Sequence, residues 1–368
     1  MASTGATRAG TERYKSRFPA DRFPDYFRDR NGWWISSLGL GTYLGEPDEQ
    51  TDRNYEEAIS AALSGGCNLL DTAINYRFQR SERSIGKSLQ QLFSQGKIAR
   101  DEMVLSSKAG FISFDGDYPA NPGQYFQKQF VEPGICSSED LVAGCHCMTP
   151  EYLENQLDRS LQNLKVEKID IYFLHNPETQ LSEISRQQFL KRTLAAFKLL
   201  ERKVSEGKIA IYGAATWNGF RDSPASSGYL SLEELIGLAR DAGGEGHHFR
   251  ALQLPFNFAM PEALLRKNQK LGSRTVSLLE AADAQKMIVL SSASILQGQL
   301  SSNLPDTLRQ FFADFTTDAQ RSIQFVRSTP GVTSALIGMS SIGHVSENLQ
   351  VASKPPVAWP TLSRLFQE

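Results

Sequence analysis

The sequence predicts a (β/α)8 barrel, and three observations support this prediction. Eight short apolar segments, each about as long as a buried strand, recur along the chain. Segments of helical periodicity separate them, and strands that alternate with helices run parallel with right-handed crossovers. The chain has 368 residues, and such barrels commonly reach about 250 residues or more within a single domain.

An open doubly wound sheet is the alternative arrangement of such units. It usually carries a G-x-G-x-x-G turn directly after its first strand. The matching segment here reads LGLGTYLG and lacks the third glycine at that spacing. Because eight parallel strands also close naturally on themselves, the barrel is favoured.

The predicted elements follow one another regularly from Trp33 onward. The predicted strands are residues 36–42, 67–72, 103–108, 169–175, 209–215, 251–256, 287–292 and 334–338. The predicted helices are residues 54–64, 81–92, 149–163, 188–205, 230–242, 273–284, 306–328 and 342–351.

Two regions depart from this alternation. Residues 1–30 are polar with scattered aromatic residues, and we expect an arm that is flexible or packs on a barrel of residues 31–368. Residues 109–148, called the long loop below, show no clear helix pattern but contain many aromatic residues and glycines. A connection of this length is usually functional, and after a barrel strand it would lie over the C-terminal mouth.

Composition indicates an ordinary globular protein without a nucleic-acid or membrane partner. The net charge is −2, the pI is about 6.3, and the sequence has no basic stripe. No apolar run reaches the roughly 20 residues of a membrane-spanning helix, and the N-terminal segment lacks the apolar region of a signal peptide. Four cysteines make no disulfide framework. A soluble, cytoplasmic protein is therefore expected.

The ends of the predicted strands carry four chemically complementary side chains. Asp71 ends the second strand, with Tyr76 just beyond it, while Lys108 and His175 end the third and fourth. Strand ends face one mouth of a barrel, so we expect these groups to converge, although each alone is more often structural. Lys108, held by Asp71, would lower the pKa of the Tyr76 phenol. His175 would orient a substrate oxygen and Tyr76 would exchange a proton with it.

The segments around these residues resemble the aldo-keto reductase family. DTAINYRFQRSERSIGKSL (residues 71–89) is similar to its signature D-T-A-x-x-Y-G-x-x-x-S-E-x-x-x-G-x-x-L. SSKAG (residues 106–110) and YFLHNP (residues 172–177) resemble its lysine and histidine strands. The resemblance runs from residue 36 to about residue 352, nearly the whole predicted barrel.

The resemblance implies NAD(P)-dependent interconversion of an aldehyde or ketone with its alcohol. Tyr76 would be the general acid/base, Lys108 and Asp71 would tune it, and His175 would position the carbonyl. A cofactor is needed because no side chain donates hydride. The long loop and the LHNPE sequence are similar to the sugar-dehydrogenase-like branch, which implies aldoses or lactols as candidate substrates.

The resemblance also implies a cofactor that extends across the barrel mouth, NADP by family expectation and NAD as the alternative. The implied cofactor residues are Gly41, Thr42, Thr216, Gln253, Ile295, Gln297, Gly298, Leu300, Gly338, Ser340, His344, Glu347 and Asn348. The implied substrate pocket consists of Tyr43, Arg77, Phe111, Asn176 and Trp217. An N-terminal hairpin would close the barrel floor at Trp33 and Trp34.

Several positions depart from the family pattern. Arg77 stands where the pattern has glycine, Ala215 and Thr216 replace a Ser-Asn pair, and Ser292 replaces an aromatic residue. Residues 338–348 contain no Lys or Arg, the residue types that hold a 2′-phosphate. A non-catalytic or regulatory homologue with weakened cofactor binding is therefore the alternative, and a barrel with other chemistry, such as a lyase, is the third.

The Cys145-His146-Cys147 segment, with Cys136 nearby, invites a zinc interpretation. Structural zinc ligands are normally separated by about two to four residues, and adjacent ligands fit poorly on one tetrahedron. We therefore expect no metal site, and expect this segment to pack the long loop against the barrel. The alternative is that His146 faces the substrate.

Overall fold

The structure, a computed structural model, describes residues 5–367. Its strands are β1 (Phe27–Arg30), β2 (Trp33–Ser36), β3 (Leu38–Gly41), β4 (Leu69–Asp71), β5 (Val104–Ala109), β6 (Ile169–His175), β7 (Ile209–Ala215), β8 (Phe249–Pro255), β9 (Lys267–Leu271), β10 (Arg274–Ser277), β11 (Ile288–Ser292) and β12 (Ser334–Gly338). Strands β3 to β8, β11 and β12 form a closed parallel barrel in which β12 pairs with β3. The predicted eight-stranded barrel is confirmed.

Helices follow the barrel strands on the outside. They are α1 (Arg8–Lys15), α2 (Glu49–Ser64), α3 (Arg80–Ser94), α4 (Pro122–Phe126), α5 (Pro150–Leu164), α6 (Arg186–Ser205), α7 (Leu232–Gly243), α8 (Glu262–Leu265), α9 (Leu278–Ala284), α10 (Asp306–Phe311), α11 (Asp318–Ser328), α12 (Ile342–Leu349) and α13 (Trp359–Leu362). Side-chain caps define several starts, as where Asp48 accepts from the Thr51 N–H before α2. In residues 5–367, every helix is too short or too polar to cross a bilayer.

The N-terminal hairpin closes the floor of the barrel. β1 and β2 pair antiparallel, and Trp33 packs with the barrel-interior side chains, which include Ile171 and Phe173. Its indole N–H donates to the Ala6 carbonyl oxygen at 3.1 Å. The floor is therefore closed by Trp33, as the family resemblance implied, and the opposite end of the barrel stays open for a site. Trp34 does not take part, because it lies on the other face of β2, against Lys15 and Arg8 of α1.

The N-terminal arm packs on the barrel over its described part. Tyr14 of α1 is fully buried, and its hydroxyl donates to the Leu63 carbonyl oxygen at 2.5 Å. A Cβ at Gly10 would overlap the backbone oxygen of Asp101, so glycine permits the close approach of α1. The boundary predicted at residue 30 falls inside the β1–β2 hairpin, so residues 5–30 are continuous with the barrel. Residues 1–4 lie outside the described residues.

Four predicted elements differ clearly from the structure. The helix predicted at 54–64 begins earlier, at Glu49, directly after the Asp48 cap. The helix predicted at 273–284 begins at Leu278, because β9 and β10 form a hairpin that turns at Gly272 with φ +59°. The helix predicted at 306–328 is two helices, because Thr317 caps α11 and interrupts the run. The long loop, predicted to lack a helix, contains α4 and a helical turn over Gln127–Val131.

Aromatic side chains give the long loop a small apolar core of its own. Phe126, Phe130, Cys136 and Cys147 are buried together against Tyr152 of α5. Among residues 5–367, no group of three or more His, Cys, Asp and Glu side chains is arranged to hold a metal ion. His146 and Cys147 are fully buried, and the Cys147 N–H donates to the Gly110 carbonyl oxygen at 2.8 Å, so this segment packs the loop against the end of β5.

Candidate active site

A cavity of about 350 Å³ opens at the C-terminal ends of the barrel strands. Predicted residues that line it are Gly41, Thr42, Tyr43, Asp71, Tyr76, Phe111, His175, Asn176, Thr216, Trp217, Gln253, Ile295, Gln297 and Gly338. The full lining includes residues from seven barrel strands, and β5 contributes Phe111 from the loop that follows it. Each strand end supplies one or two side chains to a single concave site, as expected for this fold.

A buried ion pair lies at the base of this cavity. Lys108 Nζ is 2.7 Å from Asp71 Oδ2 and also donates to the Thr72 carbonyl oxygen at 2.7 Å. The other carboxylate oxygen, Oδ1, accepts from Ser106 Oγ at 2.6 Å and Gln253 Nε2 at 2.8 Å. Burial lowers the pKa of Lys108, and the Asp71 carboxylate opposes that shift. Both charged groups of the pair are therefore satisfied by hydrogen bonds within the protein.

Tyr76 stands over this ion pair with its hydroxyl turned to the cavity. Lys108 Nζ lies 4.8 Å from the centre of the Tyr76 ring, and the Tyr43 ring packs edge-on at 5.0 Å. No atom of residues 5–367 hydrogen-bonds to the Tyr76 hydroxyl, which is not enclosed by protein either. The hydroxyl is therefore free to meet a ligand in the cavity.

The expected lowering of the Tyr76 pKa is wrong in this structure. Although the hydroxyl opens on the cavity, the surrounding protein removes most of its solvent. This desolvation raises the pKa of the phenol well above its ordinary value, and the Asp71 carboxylate and Tyr43 phenol add to the rise. The Lys108 ammonium does not reverse the shift because its charge is matched by Asp71 at contact distance. Tyr76 consequently holds its proton at neutral pH, which suits a proton donor.

His175 completes the group of four predicted catalytic side chains. Its ring lies 5.7 Å from the Tyr76 ring and 5.1 Å from the Phe111 ring, centre to centre. Burial lowers the pKa of His175 well below its ordinary value, and Lys108 and His146 add to this effect. Nδ1 is buried without a partner in the described chain, whereas Nε2 opens on the cavity. The neutral ring therefore favours its proton on Nε2, as a buried N–H without an acceptor is costly.

Arg77 does not belong to the pocket, contrary to the prediction. Its guanidinium is buried against Asp52, with Nη2 2.6 Å from Oδ1, and Nε donates to the Glu46 carbonyl oxygen at 2.9 Å. Arg77 and the next two residues adopt positive φ angles of 48°, 56° and 71°. This left-handed run turns the side chain away from the mouth, toward the loop before α2, which it stabilises.

The predicted cofactor residues fall into two groups. Those that line the cavity are Gly41, Thr42, Thr216, Gln253, Ile295, Gln297 and Gly338. Those outside it are Gly298, Leu300, Ser340, His344, Glu347 and Asn348, of which the last three lie on α12. Glu347 accepts from the Thr317 hydroxyl at 2.8 Å. The cofactor-binding role of both groups remains a prediction.

Sequence reasoning missed several side chains of the site. Asn75, Leu44, Ser294 and Leu336 also line the cavity. Asn75 lies between Asp71 and Tyr76 in the sequence, and this position next to two candidate catalytic residues could have indicated that it lines the site. Leu44 and Ser294 lie in irregular loops, where periodicity does not indicate direction. No Lys or Arg belongs to the cavity lining formed by residues 5–367.

Comparison with known proteins assigns the family. The sequence model described as the aldo/keto reductase family matches residues 37–221, half of the chain, which include all four candidate catalytic residues. The chain belongs to the aldo/keto reductase family. This agrees with the motifs around Asp71, Lys108 and His175.

Relatives within this family are distant. The NADH-specific methylglyoxal reductase of Escherichia coli is 28% identical over 186 residues, 49% of this chain and 48% of that protein. An uncharacterized oxidoreductase of Bacillus subtilis, YqkF, is 24% identical over 87% of this chain and 88% of its own length. A 6-dehydroglucose reductase of Novosphingobium aromaticivorans is 24% identical over 58% of each chain. The chain thus spans about half the length of the first of these aldo/keto reductase relatives.

Solved aldo/keto reductase structures share the fold. A Klebsiella pneumoniae enzyme in complex with NADP and acetate superposes with a TM-score of 0.61 at 21% identity, over 93% of this chain and 95% of that one. A glycerol dehydrogenase from Gluconobacter oxydans gives 0.64 at 18% identity, over 94% and 95%. At such identities the likeness extends to the barrel and no further.

Proposed function

We propose that this aldo/keto reductase reduces a small aldehyde or ketone to its alcohol with a nicotinamide cofactor. The observation that carries the proposal is that the Tyr76 hydroxyl and His175 Nε2 both open on one cavity above the Asp71–Lys108 pair. Two relatives are named as reductases of carbonyl compounds, methylglyoxal and 6-dehydroglucose, which supports the same reaction class.

The His175 ring and the Tyr76 hydroxyl would have different roles at the carbonyl oxygen of the substrate. His175 donates from Nε2 and orients the oxygen, because its neutral ring carries the proton on the nitrogen that opens on the cavity. Tyr76 gives its proton to that oxygen as negative charge develops. The raised pKa of Tyr76 keeps the phenol protonated at neutral pH, so a proton is available on its hydroxyl for the reduction step.

The residues of the mouth fit a nicotinamide dinucleotide, which supplies the hydride when bound. Thr216 Oγ1 is buried at the cavity without a hydrogen-bond partner in residues 5–367. Gln253 gives its Nε2 to Asp71 and keeps Oε1 open, so it can accept from a carboxamide. Gly298, at φ +92°, has open space around its Cα for a close backbone approach.

We propose NADP as the cofactor, with NAD as the alternative. The Klebsiella pneumoniae neighbour was solved with NADP, whereas the Escherichia coli relative is named NADH-specific. The described cavity lining and residues 338–348 contain no Lys or Arg to bind a 2′-phosphate. Binding of both cofactors is therefore the expected result.

The pocket suits a small uncharged carbonyl compound such as a sugar. Asn75 and Asn176 provide amide groups beside the aromatic surfaces of Tyr43 and Trp217, which are 55% and 39% exposed. Amides bind hydroxyl groups, and aromatic faces cover the apolar side of a sugar ring. The name 6-dehydroglucose reductase of one relative agrees with this choice.

The test combines binding with turnover. Purified protein is titrated with NADPH and with NADH while tryptophan fluorescence is followed, and carbonyl reduction is then measured by loss of nicotinamide absorbance. Tyr76→Phe should lower kcat by at least about a hundredfold while cofactor affinity stays nearly constant. Tyr43→Phe, a change at the neighbouring tyrosine of the cavity, is the matched control and should retain kcat within severalfold.

The outcomes separate the alternatives. If neither NADPH nor NADH changes the tryptophan fluorescence, the result would support a non-catalytic homologue instead. Cofactor binding with undiminished turnover by Tyr76→Phe would remove Tyr76 from its assigned role.

A further inference from the structure

His146 of the long loop is fully buried and does not line the cavity. Its Nε2 lies 2.7 Å from the carbonyl oxygen of His175, and its Nδ1 lies 2.9 Å from Gln180 Nε2. The ring therefore contacts the backbone of a candidate catalytic residue instead of a substrate.

The neighbours of His146 fix its proton. Arg192 Nη1 donates to Gln180 Oε1 at 2.6 Å, so the amide nitrogen of Gln180 must point toward His146. Nδ1 is then the acceptor, and the Nε2–H donates to the His175 oxygen. Burial lowers the pKa of His146 to about 4, which keeps this arrangement neutral at physiological pH.

The surrounding backbone is shaped for this hydrogen bond. A Cβ at Gly110 would lie 2.6 Å from His146 Nε2 and 2.7 Å from the His175 oxygen, so glycine makes room for it. The Cys147 N–H donates to the Gly110 oxygen at 2.8 Å. The Phe111 ring stands edge-on between the two histidine rings, 5.1 Å from each. The ends of β5 and β6 and the long loop are thus joined at one point.

We propose that His146 is a positioning residue that holds the end of β6, and with it the His175 ring and the Phe111 wall, in the geometry the reaction needs. The proposal rests on the proposed function of the cavity. His175 must place a donor at a carbonyl oxygen, and a displacement of about 1 Å in such a group can lower a rate by about a hundredfold. The Cys145-His146-Cys147 segment then has a role that needs no metal.

The test compares three variants of the full chain. His146→Leu removes the donor, His146→Gln keeps an N–H that can reach the His175 oxygen, and Phe130→Leu perturbs the apolar core of the same loop. We expect kcat to fall about tenfold or more in His146→Leu, with a smaller change in KM and unchanged cofactor affinity. His146→Gln should recover most of the rate, and Phe130→Leu should keep the wild-type rate. Circular dichroism confirms that each variant is folded at the assay temperature.

Two results would overturn the proposal: a wild-type kcat in His146→Leu, or an equal loss in Phe130→Leu. An inactive wild-type protein would instead count against the proposed function, and NMR of the histidine rings then decides the positioning role. A shift of the His175 ring signals in His146→Leu but not in Phe130→Leu supports it. Identical His175 signals in all proteins contradict it.

Discussion

Replacing Lys108 alone should lower the free energy of unfolding strongly, because the Asp71 carboxylate would stay buried without its counterion. The Lys108 and Asp71 side chains are 0% and 5% exposed and meet at 2.7 Å. Lys108→Met leaves the carboxylate with only Ser106 and Gln253 as donors. Removing one partner of a buried pair costs about 3–5 kcal/mol, because the remaining charge has lost its solvent and its counterion.

The double variant Lys108→Met with Asp71→Asn leaves no charge behind. Its destabilisation should therefore be much smaller than the sum of the single effects, with a coupling free energy of about 3 kcal/mol or more. Lys87→Met is the matched control, since Lys87 pairs with Glu56 at 2.8 Å while its side chain is 64% exposed. Its loss should cost less than about 1 kcal/mol.

Urea unfolding followed by circular dichroism measures these free energies, with unchanged m-values as the condition for comparison. Two results would refute the reasoning. One is additivity of the single effects within about 0.5 kcal/mol. The other is a cost for Lys108→Met no larger than that of the exposed control.

Three further predictions concern stability and substrate binding. Because His146 has a folded pKa of about 4, the unfolded chain binds a proton first as pH falls. The free energy of unfolding should then decline between pH 6.5 and pH 4 by up to about 3 kcal/mol more than in His146→Gln, in urea titrations across pH; parallel curves would contradict this. Glu178 accepts hydrogen bonds from the three backbone N–H groups of residues 217–219 through Oε1, and so holds Trp217 at the cavity. Glu178→Ala should therefore raise KM more than it lowers kcat in steady-state assays. Glu178→Gln, which keeps an acceptor oxygen, should behave as wild type, and equal effects of both would exclude this positioning. Gly213→Ala would place a Cβ against a backbone oxygen of β8 and should lower the free energy of unfolding by about 1–3 kcal/mol or more. Gly237→Ala, in open space within α7, should raise it by about 1 kcal/mol. Thermal unfolding measures both, and a shift of the melting temperature in the same direction for the two variants would contradict the packing.

The barrel was predictable because buried parallel strands are continuous apolar runs. β6, IDIYFLH, has the same bounds in the sequence prediction and in the structure. The β9–β10 hairpin was missed because the sequence prediction joined β10 to the helix that follows it and assigned no element to β9, and only Gly272 marks the turn. The break between α10 and α11 depends on the Thr317 cap, a local hydrogen bond that a periodic pattern does not include.

The site was predictable where strand ends determine position. Asp71 and His175 end β4 and β6, and Lys108 is the next-to-last residue of β5 between them, so the topology alone brings the three together. The side-chain direction of Arg77 could not be predicted from its position in the sequence, because a left-handed turn points the side chain away from the cavity. The pKa of Tyr76 depends on burial and on a paired charge, and neither is visible in sequence spacing.

The fate of the transferred hydrogen tests the proposed chemistry most directly. The protein receives a carbonyl substrate and a reduced nicotinamide cofactor that carries deuterium at the transferable ring position, and mass spectrometry examines the alcohol. We predict deuterium on the carbinol carbon of the alcohol, and a much smaller amount of labelled alcohol with the Tyr76→Phe variant. An alcohol free of deuterium, or labelled equally with that variant, would contradict hydride reduction at this cavity.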